Sequence, residues 1–136
     1  MNDSVKALFD AAAQVRLQAH APYSGFRVGA ALRAEDGRIY VGCNVENAAY
    51  PSGTCAEQAA IAAMVAGGAR KIQLMAVLAD SPQPVTPCGA CRQRIREFVM
   101  SSTQVHAGNL AGARQHFAFT DLLPESFGPD ALPERS

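Results

Sequence analysis

Three cysteines at the starts of two helical runs constrain this 136-residue chain more than any other feature. TCAE occupies positions 54–57 and opens an alanine-rich run, and PCGAC occupies 87–91 and opens another. A helix N-terminus exposes unpaired N–H groups, so it favours a thiolate. Cys88 and Cys91 stand three apart and share a face of a helix or of its leading turn. Two thiolates at this spacing can chelate one zinc ion, with zinc–sulfur bonds of about 2.3 Å. Taken alone, CxxC also fits a thioredoxin-like redox pair, whose strand-then-helix context is partly met here. Cys55 brings a third sulfur from a second helix start. Three ligands with a fourth position open is the pattern of a catalytic zinc site rather than a closed structural one.

Glu57 fits that pattern as something other than a ligand. In mid-helix, Cys55 and Glu57 would point to nearly opposite sides, since successive residues advance by about 100°. At a first turn, both side chains can reach a metal lying beyond the helix end. Glu57 would then sit beside the metal-bound water, take its proton and pass it to a substrate. Two alternatives stand beside this reading. One is a closed zinc site with His20, His106 or His116 as fourth ligand, which leaves Glu57 unexplained. The other is three unrelated core cysteines. Cys43, in an apolar strand with no partner nearby in sequence, reads as a packing residue.

The rest of the chain fits a globular protein. A single domain is expected over residues 1–136, with roughly 68% of the unfolded surface buried at this size. Hydrophobic residues make up 49% and charged residues 18%, which excludes a disordered chain. So little charge leaves apolar surface to cover and favours an oligomer. Twelve Lys+Arg balance 12 Asp+Glu, so there is no electrostatic footprint for a long nucleic acid. No segment reads as a membrane span. The opening MNDSVKALFD has neither a basic region nor an apolar core, so no secretory signal is expected. A reducing cytoplasm follows as the expected location, where cysteines serve as ligands or catalysts.

Periodicity predicts a helix over 4–20, capped by Asp3 or Ser4. FRVGAALRA (26–34) and RIYVGCNV (38–45) read as strands joined by an Asp36-Gly37 hairpin turn. NAAYPSG is a loop. A helix runs from Cys55 to about Val65, stopped by Gly67-Gly68. KIQLMAVLA (71–79) reads as a buried strand and SPQPVTP as a loop. A further helix is expected from Cys88 to about Met100, then strands at TQVHAG and HFAFT. Beyond Asp121 a short helical turn and an irregular tail are expected. The order α-β-β-α-β-α-β-β predicts an α/β fold with helices packed on a sheet.

Five separated segments carry a resemblance. PYSGFRVGAAL (22–32), GCNVENAAYP (42–51), TCAE (54–57), PCGACRQ (87–93) and LLPESFG (122–128) together resemble the small homotetrameric cytidine deaminases. Zinc deaminases as a class share the PCxxC ligands and the nearby Glu. The resemblance covers nearly the whole chain. It implies the cytidine deaminase fold, a five-stranded mixed sheet flanked by helices. It implies hydrolytic deamination of cytidine and deoxycytidine to uridine and deoxyuridine, with release of ammonia, in pyrimidine salvage. It implies one Zn2+ per subunit on Cys55, Cys88 and Cys91, with Glu57 as proton shuttle. Asn44 and Glu46 are implied as ligands of the ribose 3′-hydroxyl. Phe26 would lie beside the pyrimidine ring, and the Ala56 backbone N–H would bind its 2-oxo group. Phe127 would reach a neighbouring subunit's site in a homotetramer.

One departure from the family bears on electrostatics. Three thiolates on Zn2+ leave a net charge of minus one. Many relatives carry an Arg directly after the Glu, bonded to the ligand sulfurs; here that position is Gln58. An amide donates a hydrogen bond but brings no charge. Compensation is then expected from Arg92 or Arg94, with Gln93 as a further donor, or from the helix ends alone. Competing functions are a deaminase of a modified cytosine nucleoside and a non-catalytic zinc or redox module. The absence of net positive charge argues against editing of polynucleotides.

Overall fold

The structure, a computed structural model, describes residues 2–133. Its layers follow from strand β3 (Ile72–Ala79), whose side chains alternate between two separate apolar clusters. Met75 and Val77 join one cluster, with Ala60, Met64 and Ile95. Ala76 and Leu78 join the other, with Leu8, Phe9 and Ala12. A strand covered on both faces must be apolar throughout, so KIQLMAVLA lacks polar alternation. Burying a side chain such as Leu8 completely contributes about 1.5–3 kcal/mol.

β3 is central in a five-stranded sheet ordered β2-β1-β3-β4-β5. β1 (Val28–Ala34) and β2 (Ile39–Cys43) form the expected hairpin, and Gly37 takes a φ of +80° in its turn. β1 also pairs antiparallel with β3. β4 (Val99–Asn109) runs parallel to β3, and β5 (Arg114–Ala118) runs antiparallel to β4. The sheet is therefore mixed. Helix α1 (Asp3–Arg16) covers one face. α2 (Ala56–Ala66) and α3 (Gly89–Arg96) cover the other, and a short helix α4 (Phe119–Leu122) follows β5. Among the described residues, no helix is long and apolar enough to cross a membrane.

Several boundaries differ from the sequence expectation, each for a local reason. Asn2, rather than Asp3 or Ser4, caps α1, its Oδ1 accepting from the Val5 N–H at 2.9 Å. α1 ends at Arg16 rather than His20. The N–H groups of Leu17, Gln18 and Ala19 turn to carbonyls three residues back, and His20 leaves to bridge with Val45. β1 begins at Val28 and not at Phe26, and β2 stops at Cys43. α3 stops at Arg96 rather than Met100, because Val99 pairs with Ile72 in the parallel β3–β4 ladder. HFAFT divides after Ala118, where Phe119 starts α4 and buries its ring with Leu122.

The placement of α2 depends on Gly42. A Cβ added there would stand 2.3 Å from the Ala60 nitrogen and 2.5 Å from the Ala56 oxygen. α2 therefore rests on β2 backbone to backbone, with its first turn lying over Gly42 near the end of that strand. Gly42→Ala is expected to lower unfolding free energy by about 1–3 kcal/mol through overpacking, read as a lower urea midpoint. An unchanged midpoint would contradict this contact.

Candidate active site

Cys55 is the N-cap of α2 and Cys88 the N-cap of α3, and neither side chain makes a capping hydrogen bond. Both thiols are thus left at the positive ends of their helices. Cys91 lies one turn into α3 and is buried. The three sulfurs lie within 4.8 Å of one another, and neither a histidine nor Glu57 joins the group. Tetrahedral zinc with sulfurs at about 2.3 Å needs sulfur separations of about 3.8 Å, so small adjustments suffice. His106 and His116 instead stack on each other across β4 and β5, with centroids 5.5 Å apart.

The thiols do not share one electrostatic fate. The N–H groups of Cys91 and Ala90, at the start of α3, pull the Cys88 thiol below its ordinary range. Burial, followed by the charges of Glu57 and Cys55, pushes the Cys91 thiol up. Burial also raises Cys55, with the Cys88 charge adding to it. Three thiolates this close repel one another, and a soft dication resolves the conflict. The donor set therefore fits zinc.

Arg94 reaches this cluster, its Nη1 lying 3.5 Å from the Cys91 sulfur. Arg92 is spent elsewhere, donating to the carbonyls of Pro87 and Leu122 and to the Thr86 hydroxyl. Gln93 donates to the Phe127 carbonyl at 2.9 Å. The only guanidinium among the described residues that bonds a cluster sulfur thus comes from α3, one turn after its buried thiol, while Gln58 is half-buried on α2.

Glu57, in the first turn of α2, is 6% exposed. Burial raises its carboxyl above the usual range, and its own backbone N–H and the Arg94 charge oppose this only in part. It lines a cavity of about 660 Å³ together with Phe26, Asn44, Glu46, Cys55, Ala56 and Cys88. Two short bridges gather these residues. Val45 pairs with Thr54 through N–H···O bonds of 3.0 and 2.9 Å, which ties Asn44–Glu46 to the segment entering α2. His20 pairs with the same stretch from its other side, through Asn44 and Glu46.

Asn44 and Glu46 are both held by the chain itself. Asn44 Oδ1 accepts from the Val28 N–H and its Nδ2 donates to the Phe26 carbonyl, each at 2.8 Å. Glu46 accepts from the Tyr23 and Ser24 N–H groups and from the Ser24 hydroxyl. Phe127 does not line its own chain's cavity. It is 60% exposed, on a tail fastened to α3 by Arg96, which donates to Ser126 and Asp130. Ser24, Tyr23 and the Val85-Thr86 stretch also line the cavity and were not expected from sequence. The hydroxyl of Ser24 beside a glycine marked a turn, but nothing local showed that Glu46 would be its partner.

Comparison with known proteins agrees with this geometry. Residues 2–107 match the family model described as the cytidine and deoxycytidylate deaminase zinc-binding region. The chain belongs to the cytidine deaminase family. It is 47% identical to a cytidine deaminase of Sporosarcina psychrophila over 128 residues, covering 94% of each chain. A cytidine deaminase of Halalkalibacterium halodurans is 44% identical over 88% of this chain and 91% of that one. Among solved structures, a cytidine deaminase from Burkholderia pseudomallei superposes with a TM-score of 0.86 at 41% identity, covering 93% of this chain and all of the other. One from Mycobacterium tuberculosis gives 0.81 at 34% identity, covering 93% and 99%. This family member is a zinc-dependent deaminase with the five-stranded mixed sheet of its relatives.

Arg94 is expected to contribute to the hold on zinc. Arg94→Met should weaken zinc binding by about ten-fold or more in competition with a coloured chelator, the usual scale for groups that bond a ligand atom. Unchanged affinity would assign the compensation to the helix ends alone.

Proposed function

We propose that the chain catalyses hydrolytic deamination of cytidine and deoxycytidine, replacing the C4 amino group by oxygen from water and releasing ammonia. The observation that carries this reading is a buried carboxylate, Glu57, opening into the same cavity as a three-thiol cluster. Cys55, Cys88 and Cys91 would hold the zinc. When bound, zinc supplies a Lewis acid that makes a water at its fourth position more acidic.

The remaining work falls to the chain's own groups. Glu57 takes a proton from the attacking water and places it on ring nitrogen N3, which makes C4 more electrophilic. It then takes the remaining proton from the new C4 hydroxyl and delivers it to the amine, which leaves as ammonia while the C4 oxygen becomes the carbonyl. Burial raises its carboxyl, which helps one group both accept and donate near neutral pH. The Ala56 N–H, in the first turn of α2, needs no partner within the helix and suits the pyrimidine 2-oxo group. Phe26 offers its ring to one side of the base. Asn44 and Glu46, two apart on an extended segment, present their side chains on one side for the sugar hydroxyl.

The same reading extends to assembly and setting. Tyr50 and Phe127 are well exposed in the single chain, which supports a homotetramer whose sites are completed by neighbours. A cluster that must stay as thiols suits the reducing cytoplasm, and the products suit nucleoside salvage. Glu57→Gln is expected to keep zinc and fold while losing at least about 10³-fold in kcat, followed by the ultraviolet absorbance of cytidine. Retention of activity within ten-fold would remove Glu57 from the reaction.

A further inference from the structure

Ser24 sits at a node that the deamination chemistry does not require. Its hydroxyl donates to Glu46 Oε2 and accepts the Phe26 N–H at 3.0 Å. Glu46 Oε1 is meanwhile occupied by the N–H groups of Tyr23 at 3.0 Å and Ser24 at 3.1 Å. A carboxylate offers about four acceptor positions. Three are filled by these bonds, so the remaining one lies on Oε2, the oxygen that Ser24 holds. Ser24, Glu46 and Phe26 all line the cavity.

The charge state follows from the same contacts. The Ser24 hydroxyl, followed by the two N–H groups, keeps Glu46 below the usual carboxylate range. An ionised carboxylate only accepts, so the ligand group it meets must be a donor such as a hydroxyl. Asn44 has spent its carbonyl oxygen on Val28 and one N–H on Phe26, which leaves one N–H for a ligand oxygen. The pair can thus serve one hydroxyl from both sides, provided that Glu46 is correctly turned.

We propose that Ser24 is the positioning residue of this clamp: it turns the last free acceptor of Glu46 toward the sugar hydroxyl of the nucleoside. The proposal rests on the reading of Glu46 as a sugar ligand. Without the Ser24 hydroxyl the carboxylate keeps the backbone N–H bonds of residues 23 and 24 on Oε1 and can rotate about them. Sugar binding weakens while the chemistry at C4 proceeds.

Removing the hydroxyl from the protein and from the substrate separately tests this. Steady-state kinetics would compare wild type, Ser24→Ala, Ser24→Thr and Glu46→Ala with cytidine and with 2′,3′-dideoxycytidine. Ser24→Ala is expected to raise KM for cytidine about ten-fold, with kcat within about two-fold. The same variant should change KM for dideoxycytidine by less than about two-fold, since that substrate lacks the 2′- and 3′-hydroxyls that the clamp would hold. Ser24→Thr keeps the donor and should stay within about three-fold of wild type on cytidine. An equal rise for both substrates would overturn the proposal, showing that Ser24 only shapes the loop carrying Phe26. No rise with Ser24→Ala, alongside a large one for cytidine with Glu46→Ala, would overturn it and leave Glu46 as a sugar ligand. If Glu46→Ala fails to separate the two substrates, the sugar reading falls and the proposal falls with it.

Discussion

Three sulfurs brought close by two helix N-termini create the constraint on which the site depends. The three cannot all ionise beside one another, and burial penalises Cys55 and Cys91 further. The N–H groups at the start of α3 favour the charged form of Cys88 only. A dication therefore fits this corner better than protons do, and the family's zinc requirement becomes a consequence of local electrostatics. Glu57 occupies the same first turn as Ala56, so its carboxylate reaches the cavity without joining the thiol cluster.

The sheet exists, in functional terms, to make those helix ends coincide. β3 is buried on both faces and carries the chain from the end of α2 to the loop before α3. Parallel pairing with β4 then fixes where α3 must finish. Gly42 lets α2 lie directly on β2, and the Val45–Thr54 bridge binds Asn44–Glu46 to the same corner. Asn44–Glu46 and the thiol cluster are thereby joined by backbone hydrogen bonds.

Much of this was legible in the chain. Cysteine spacing at helix starts identifies the cluster, and the hairpin turn and the apolar run of β3 identify the sheet. Boundaries were less legible where tertiary pairing overrides local tendency. Residues 97–100 continue a helical pattern, yet Val99 is claimed by Ile72 across the sheet. Arg94 and Arg92 are equivalent in sequence as cations near the thiols. Only the helix geometry sends one to Cys91 and the other to the Pro87 and Leu122 carbonyls. Ser24 carries no site signal in the sequence, because its partner Glu46 lies 22 residues away.

The central claim is that three sulfurs of this chain share one zinc ion and leave its fourth position to a non-protein ligand. Zinc K-edge X-ray absorption on the purified protein reads the coordination directly. The account predicts three sulfur neighbours at about 2.3 Å and one light oxygen neighbour that is exchanged when a nucleoside inhibitor is added. A closed shell of four protein ligands, or an absence of zinc from protein prepared without chelator, would contradict it.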